Sequence, residues 1–599
     1  MKFLKVFFAT LLAMIVGSVL SWVLCIALFA GMVGSMGQVT KATITPQTIV
    51  KIDFAENIAD APTKNPMAGF DYQTLSVAKS THLLKVLQSI EAAKSDDRVK
   101  GLYLNFTGTG EVSSGAMEEI RAAIVDFKQS GKFVVAYNEI YSQALYYIAS
   151  VADKVYVHPN GGFDWKGLAF PSIFFKGAFD KLGLSAEVFR PTVCKYKSAV
   201  EPYIRKNMSP ENRAQMQMIT DDMWSVLVEA IAQSRGLDAA KLKTLADKLE
   251  ITETEDALKH NLVDALIYED EMEAKFAEYG VEKGADGKFN IISLGEYMAL
   301  APILPKFGAP AVGIVYAVGQ VLDGAGDDDN LYSVNVSNTL RKAREDKDVK
   351  AVVFRVNSPG GSALASDVIW REVELLRKEK PVIVSMGSYA ASGGYYISSS
   401  ADAIIADKLT LTGSIGVFGM FIEGENALKE KLGITTDVTK SGSSADLGAG
   451  IMGVGIRKFT DAERKVFIRS VDKVYDTFTT RVSEGRNLPM EKVLDIAQGR
   501  VWSGVRAVEI GLADANGGLR EAIAVAVDKA GISDNFRVTE VLEDMPPMAQ
   551  MMQALNMKVK SLLLDSETLE AVEYYNSLKR EIAREGVQAY CPYTFSLNY

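Results

Sequence analysis

The stretch Val349-Lys-Ala-Val-Val-Phe354 decides the fold, because a closely related stretch, Val99-Lys-Gly-Leu-Tyr-Leu104, stands 250 residues earlier in the chain of 599 residues. Further matches keep this register to within one residue: Tyr146-Tyr-Ile148 with Tyr395-Tyr-Ile397, and Asn261-Leu-Val-Asp264 with Gly511-Leu-Ala-Asp514. Self-similarity held over so long a stretch predicts a tandem duplication of one kind of domain.

Each half alternates strand and helix patterns. In the second half, the predicted strands are continuous apolar runs, and the predicted helices carry apolar residues at helical spacing. The strands are expected at Ala311–Tyr316, Val349–Val356 and Pro381–Ser385, and the helices at Leu331–Lys347 and Asp367–Lys378. Continuous apolar strands that alternate with helices predict an α/β fold with a parallel sheet covered by helices.

The N-terminus predicts a membrane anchor. Residues 6–40 follow Lys2 and Lys5 and contain no charged side chain. This run is longer than the ~20 residues that span a bilayer, and its apolar part exceeds the ~7–15 residues of a cleavable signal peptide. The two lysines favour a cytoplasmic N-terminus, so the rest of the chain is expected outside, in a bacterial periplasm. A signal cleaved near Ser35 is the alternative.

The patterns divide the chain into five predicted parts. These are an anchor at 1–40, a first domain at 41–267, a connector at 268–308, a second domain at 309–540 and a tail at 541–599. The connector is expected to hold a helix at about 270–279. The tail is expected to form a helix to about Arg584, with Glu585–Tyr599 irregular.

Composition excludes several classes of function. The net charge is −10 and no basic block is present, which argues against a nucleic-acid partner. Three scattered cysteines form neither a disulfide framework nor a metal motif. The acidic stretch Gly324–Asp329 lacks the spaced oxygen ligands of a calcium loop and is expected to be a solvated turn. We therefore predict no metal and no cofactor.

Ser392 is the candidate nucleophile. Ligands of parallel α/β sheets sit at the carboxyl ends of the strands, where Asn357–Ser362 and the Ser-Gly-Gly triplet at 392–394 are expected. The amides of Gly393 and Gly361 could form an oxyanion hole worth ~3–4 kcal/mol per donor. The alternative is close packing of small residues. However, the first half carries Gln143–Leu145 at the matching position, which favours a single functional site in the second half.

The candidate base is a lysine. The three histidines stand away from the glycine turns, at His82, His158 and His260. Serine–lysine enzymes use an uncharged amine instead, whose pKa must fall from ~10.4 through burial. In Pro191–Tyr203 both Lys195 and Lys197 are candidates, and strand alternation places them on the face of Val193. The alternative for either lysine is an ordinary solvated charge.

Four motifs resemble the long form of the signal peptide peptidase A (protease IV) family: Tyr196-Lys-Ser-Ala-Val-Glu-Pro-Tyr203, Asn357-Ser-Pro-Gly-Gly-Ser362, Ala390-Ala-Ser-Gly-Gly-Tyr395 and Thr412-Gly-Ser-Ile-Gly-Val417. The resemblance implies a Clp protease/crotonase-like domain in each half. It implies that Ser392 is the nucleophile, Lys197 the general base and Ser414 the residue that orients the lysine. The amides of Gly393 and Gly361 would form the oxyanion hole.

The resemblance also implies a function: a membrane-anchored serine endopeptidase that degrades signal peptides left after secretion, assembled as a homotetramer. Its partners would be apolar peptides and, through residues 6–40, the bilayer of the bacterial inner membrane. Ile415–Phe421 could line a pocket for a small or apolar side chain, or could be a core strand. The alternatives are an acyl-CoA enzyme on the same fold and a non-catalytic membrane scaffold.

Overall fold

A computed structural model describes residues 43–54, 57–62, 70–71, 76–77, 81–108, 112–301, 308–326, 330–451, 453–532, 535–543 and 587–591. The predicted anchor at residues 6–40 lies outside these ranges. Among the described residues, no helix combines the length and the apolar character needed to cross a bilayer.

The first half forms a parallel sheet of six strands. Their spatial order is Ala265–Leu266, Lys154–Phe163, Phe133–Tyr141, Val99–Asn105, Thr48–Asp53 and Ile291–Ser293. The helices of this half are Leu83–Ser95, Ser114–Lys128, Gln143–Ala149, Lys176–Leu182, Glu201–Ile204, Pro210–Arg235, Ala239–Asp247 and Thr254–Lys259, followed by Met272–Glu278 and Leu294–Leu300.

The second half repeats this order of strands. Six of its strands pair in parallel in the corresponding spatial order: Ala515–Asn516, Ala403–Ala406, Val382–Ala391, Val349–Ser358, Ala311–Val318 and Arg537–Glu540. Two further strands, Leu411–Gly413 and Val501–Ser503, extend the sheet from the carboxyl end of Val382–Ala391. The helices of this half are Ser333–Glu345, Ala363–Arg377, Gly393–Ser398, Asp461–Arg486, Met490–Ile496, Gly504–Ile510 and Leu519–Ala530. The shared order confirms the predicted duplication.

The predicted elements of the second half are present, with shifted ends. The strand predicted at Pro381–Ser385 continues to Ala391, so it ends directly before Ser392. The region predicted as a helix from Leu331 begins with a short strand, and its helix runs over Ser333–Glu345. The connector helix is Met272–Glu278, whereas the helix predicted in the tail lies outside the described residues.

One prediction for the tail was wrong. Glu585–Tyr599 was expected to be irregular, but Gln588–Tyr590 forms a strand that pairs antiparallel with Gly360–Ser362. The strand exists because the backbone of Gly360–Ser362 offers it hydrogen-bonding partners. That partner lies more than 200 residues away in the sequence, so local patterns in the tail could not identify the partner strand.

The two halves are joined by more than the connector. Strand Gly419–Glu423 of the second half pairs antiparallel with Ser185–Phe189 of the first, over five residue pairs. A single apolar core combines residues of both sheets with helix Leu519–Ala530, and its members include Leu104, Val353 and Leu519. The relative position of the halves is therefore fixed by backbone pairing and by shared burial.

A buried ionic cluster also crosses this interface. Arg355 has no exposed surface, and its guanidinium lies 2.8 Å from the carboxylate of Asp60 and 2.7 Å from that of Glu119, both in the first half. Ser385 accepts a further hydrogen bond from the guanidinium at 2.9 Å. Burial raises the pKa of the nearby Asp407 carboxyl well above its usual range, and the charges of neighbouring carboxylates add to this effect.

Replacing Arg355 should loosen the association of the halves. Arg355→Met leaves two buried carboxylates without their cation, and the expected loss in the free energy of unfolding is about 3–5 kcal/mol. Lys166→Met removes one partner of an exposed ion pair with Asp164 and should cost at most ~1 kcal/mol. Denaturant unfolding at pH 7 measures both, and equal losses for the two variants would contradict the prediction.

Candidate active site

Ser392 lies at the junction of a strand and a helix. Strand Val382–Ala391 ends at its N-terminal neighbour and helix Gly393–Ser398 begins at its C-terminal neighbour. Its backbone has φ 56° and ψ −112°, a conformation that side-chain-bearing residues rarely adopt and that tends to mark functional sites. The amide of Ser392 donates to the carbonyl of Gly413 at 2.8 Å, which holds the turn in place.

Lys197 is buried, but not for the reason expected from the sequence. The predicted strand is absent: Cys194 donates to the carbonyl of Pro191 at 2.9 Å, and Lys197 donates to that of Cys194 at 3.3 Å, so the segment forms turns. Turns break the alternation of a strand. The expectation that Lys195 and Lys197 share the face of Val193 was therefore wrong, because Lys195 and Val193 are exposed whereas Lys197 is 1% exposed.

The structure brings Lys197 of the first half to Ser392 of the second. The lysine Nζ lies 2.6 Å from the Ser392 Oγ. It also lies 2.9 Å from the Oγ and 3.0 Å from the carbonyl oxygen of Ser414. These separations lie within the reach required for direct proton transfer. Ser414 contacts the amine with two atoms and so fixes its position.

The surroundings of Lys197 favour an uncharged amine. Burial lowers the pKa of Lys197 to about 7, against a small opposing effect of the Cys591 and Cys194 thiols. No carboxylate of the described residues forms an ion pair with this amine, so nothing offsets the cost of burying its charge. A large fraction of the lysine is therefore neutral at pH 7 and can accept a proton from a hydroxyl.

Gly499 is a residue that the sequence analysis missed. It has φ +77°, and a β-carbon built on it would lie 2.5 Å from the Cβ of Lys197. Its amide donates to the carbonyl of Ile415 at 2.8 Å, and the amide of Ser414 donates to the carbonyl of Arg500 at 2.7 Å. The segment around Gly499 thus packs directly on the lysine. A glycine after a helix end was the available signal, but the contact itself depends on the fold.

The two glycines predicted to supply oxyanion-hole amides lie close together. Ser358 and Ala390 are paired across neighbouring strands, which places the turns that follow them side by side. Gly393 is the first residue of the helix after Ser392. Gly361 lies in strand Gly360–Ser362 and faces Ala589 in its register. The amide of Gly360 is bonded to the Ser358 Oγ at 3.2 Å, so it is already engaged.

The tail strand is the second feature that the sequence analysis missed. Residues 587–591 lie between strand Gly360–Ser362 and Phe418, whose amide and carbonyl both bond to Gln588. The sequence Val587-Gln-Ala-Tyr-Cys591 alternates apolar and polar residues, and this alternation is the signal that could have revealed a strand. Ala589 and Cys591 are fully buried beside the site.

The structure also places the segment Ile415–Phe421 and the three histidines. Ile415 and Val417 are fully buried in the core, whereas Phe418 forms a wall of the cleft that holds the tail. The core role is therefore confirmed for Ile415 and Val417, and the pocket for a small or apolar side chain stays a prediction. His82 is paired with Glu540. His158 makes an edge-to-face contact with the ring of Tyr268, and His260 directly follows the helix Thr254–Lys259.

The site combines a serine at a strained strand end, a lysine nitrogen beside its hydroxyl and neighbouring glycine amides. Such a combination is typical of serine peptidases. Comparisons agree with this class. Residues 126–282 and 374–533 match the model of peptidase family S49, one match in each half. The first range contains Lys197, and the second contains Ser392 and Ser414.

Curated relatives extend the match to most of the chain. "Protease 4" of Haemophilus influenzae is 38% identical to this chain, over 75% of this chain and 73% of the relative. "Protease 4" of Salmonella typhi is 33% identical, over 88% of this chain and 85% of the relative. "Serine protease SPPA, chloroplastic" of Arabidopsis thaliana is 34% identical, over 77% of this chain and 67% of the relative. The chain belongs to peptidase family S49 and is a serine protease.

A solved structure, that of a ClpP1 mutant from Listeria monocytogenes, aligns with 35% of this chain and 94% of its own, at 14% identity and a TM-score of 0.23.

The pKa of Lys197 should appear in the pH dependence of catalysis. Below about pH 7 the amine is protonated and cannot accept the serine proton, so kcat/KM should fall about tenfold per pH unit there and level off above. Lys197→Met should lower kcat/KM by at least ~10³-fold at every pH. A profile of kcat/KM from pH 5 to 9 measures this, and full activity at pH 5 would contradict it.

Gly499→Ala tests the packing on the lysine. The added methyl group would lie 2.5 Å from the Lys197 Cβ, and displacement of the amine by about 1 Å should lower kcat ~10²-fold. Gly131→Ala is the matched control, since Gly131 has the same φ of +77° with no atom within 4 Å. Steady-state kinetics should show loss of activity in Gly499→Ala alone, and thermal unfolding should show a lower Tm for Gly499→Ala than for Gly131→Ala, because only the first methyl group overlaps backbone atoms of Lys197.

Proposed function

We propose that the chain is a membrane-anchored serine endopeptidase that degrades remnant signal peptides, with Ser392 as nucleophile and Lys197 as general base. The observation that carries this proposal is the 2.6 Å contact between the Lys197 Nζ and the Ser392 Oγ. Among the described residues, the titratable groups that act on this amine are two thiols, and neither offsets the effect of burial. Ser414 holds the amine, and the amides of Gly393 and Gly361 receive the developing oxyanion.

The proposed mechanism follows from these positions. Lys197 takes the proton of Ser392 as its Oγ attacks the scissile carbonyl carbon, and the tetrahedral oxyanion binds the amides of Gly393 and Gly361. The protonated lysine then donates its proton to the leaving amine, and the C–N bond breaks. Water, deprotonated by the neutral lysine, hydrolyses the acyl-serine and restores the hydroxyl.

The walls of the cleft support an apolar peptide as substrate. Ala199, Val200 and Phe418 form a small buried apolar cluster against which Val188 and Met420 pack. In addition, "Putative signal peptide peptidase SppA" of Enterococcus faecium is 40% identical over 35% of this chain and 60% of its own.

The proposed location is the bacterial inner membrane, with residues 6–40 as a single span and the two halves in the periplasm. The support is the uncharged N-terminal run behind Lys2 and Lys5. A Clp protease/crotonase-like fold in each half and a homotetrameric assembly belong to the same proposal, as do the predicted domain limits. A tether at the bilayer surface would bring the site to apolar peptides that remain in the membrane.

Labelling with a fluorophosphonate tests the nucleophile. The full chain in detergent should be labelled at Ser392 and should cleave an apolar peptide of signal-peptide type. Ser392→Ala should abolish both. Ser399→Ala is the matched control, because Ser399 is also buried and its hydroxyl donates to the carbonyl of Tyr396. Its labelling should be unchanged.

The same measurements separate the alternatives. Labelling that persists in Ser392→Ala would assign the nucleophile elsewhere. Absence of both labelling and cleavage in the unaltered chain would favour a non-catalytic scaffold. Hydrolysis of an acyl-CoA at a rate above that of the peptide would favour the acyl-CoA enzyme.

A further inference from the structure

The lysine turn, residues 191–200, carries Lys197 and consists of turns and a short 3-10 helix rather than a strand. Its backbone forms short-range hydrogen bonds, such as the one from the amide of Ser198 to the carbonyl of Tyr196 at 2.8 Å. Segments of this kind are more mobile than the strands and helices that they connect. An amine that has to stay beside Ser392 therefore needs support from outside the turn.

Gln215 contacts the lysine turn on both sides of the lysine. It lies in helix Pro210–Arg235 and has no exposed surface. Its side-chain nitrogen donates to the carbonyl of Tyr196 at 3.1 Å and to the Oγ of Ser198 at 2.8 Å. These two residues are the chain neighbours of Lys197, so a single carboxamide fixes the turn before and after the lysine.

The oxygen of the same side chain bonds to the second half. It accepts from the amide of Val501 at 3.2 Å. Val501 stands two residues after Gly499, on which a β-carbon would lie 2.5 Å from the Cβ of Lys197. Gln215 thus joins the lysine turn of the first half to the segment of the second half that packs on the lysine.

Gln215 is itself held by buried polar side chains. Its nitrogen lies 3.2 Å from the side-chain oxygen of Asn212, and the Asn212 nitrogen donates to the Glu201 carboxylate at 2.9 Å. The same carboxylate accepts from the amide of Ser209, the residue that caps the helix, at 3.1 Å. Buried polar networks whose members are paired stabilise one arrangement of side chains. The position of Gln215 is therefore well defined.

We infer that Gln215 is a positioning residue for the proposed general base; this inference rests on the proposed function. Its carboxamide holds the lysine turn against the Gly499 segment, so that the Lys197 Nζ stays 2.6 Å from the Ser392 Oγ and away from water. A carboxylate at this position would stabilise the protonated lysine and raise its pKa. The uncharged carboxamide makes the same kind of contact without that effect.

The rate of fluorophosphonate labelling of the full chain in detergent, followed from pH 5 to 10, tests this inference. Gln215→Leu removes the hydrogen bonds to the turn, so the amine moves and water reaches it. The labelling rate at pH 7 should fall at least ~10-fold. The midpoint of the pH profile should rise by about one unit, toward the ordinary pKa of lysine. With an apolar peptide, kcat should fall while KM stays within about twofold.

Gln215→Glu is the second variant and decides the test if Gln215→Leu does not fold. It keeps the size of the side chain and the oxygen that accepts from Val501. The midpoint should rise here as well, because the carboxylate cannot donate to the turn and attracts the protonated amine.

Gln143→Leu is the matched control. Gln143 is equally buried, and its side chain forms three hydrogen bonds with Lys166 and Gly167 of the first half. Thermal unfolding should show a loss of stability similar to that of Gln215→Leu, whereas the labelling rate and the midpoint should stay those of the unaltered chain.

The outcomes separate this inference from the proposed function. If the unaltered chain is labelled at Ser392 and the folded Gln215 variants keep its rate and midpoint, the inference fails and the proposed function stands. If Gln143→Leu shifts the midpoint as much as Gln215→Leu does, the effect is one of general stability and the inference fails. If the unaltered chain is not labelled, the proposed function fails and the inference fails with it.

Discussion

The proposed chemistry depends on one contact, between the amine of Lys197 and the hydroxyl of Ser392 at 2.6 Å. The amine has to be buried to be neutral near pH 7, and holding its pKa about three units below that of a free lysine disfavours the protonated form by ~4 kcal/mol. A single half cannot bury it, because the lysine comes from the first half and its neighbours Ser392, Ser414 and Gly499 come from the second. Association of the halves is therefore a condition of the chemistry.

The interface between the halves meets this condition with several kinds of contact. The antiparallel pairing of Ser185–Phe189 with Gly419–Glu423 fixes the register only a few residues from the lysine turn. The buried Arg355 adds specificity rather than stability, since a buried ion pair seldom stabilises more than packed apolar side chains would. Arrangements of the two halves in which the buried carboxylates of Asp60 and Glu119 lose their cation are higher in free energy, and this favours the observed arrangement.

The sequence predicted the features that repeat or that follow local rules. The duplication, the parallel strands and the position of Ser392 after a strand all came from patterns within a few residues or from the comparison of the two halves. The sequence did not predict the turn that buries Lys197, the contact of Gly499 with this lysine or the tail strand at Gln588–Tyr590. Each of these depends on a partner more than 200 residues away, and nothing in the local sequence specifies such a partner. The roles of the site residues stay predictions.

The first half differs from the second at the position that matches Ser392. At the position matching Ser392 stands Gln143, fully buried, whose side-chain oxygen accepts from the amides of Lys166 and Gly167 at 3.0 and 2.8 Å and whose nitrogen donates to the carbonyl of Gly167 at 2.9 Å. The glutamine thus holds the loop at Lys166–Gly167 against this strand end. In the proposed mechanism the first half supplies the lysine, whereas its own position that matches the nucleophile is filled by a hydrogen-bonded glutamine. Under that proposal the two halves meet different requirements: the second half provides a rigid turn for the nucleophile, and burial of the base needs both halves together.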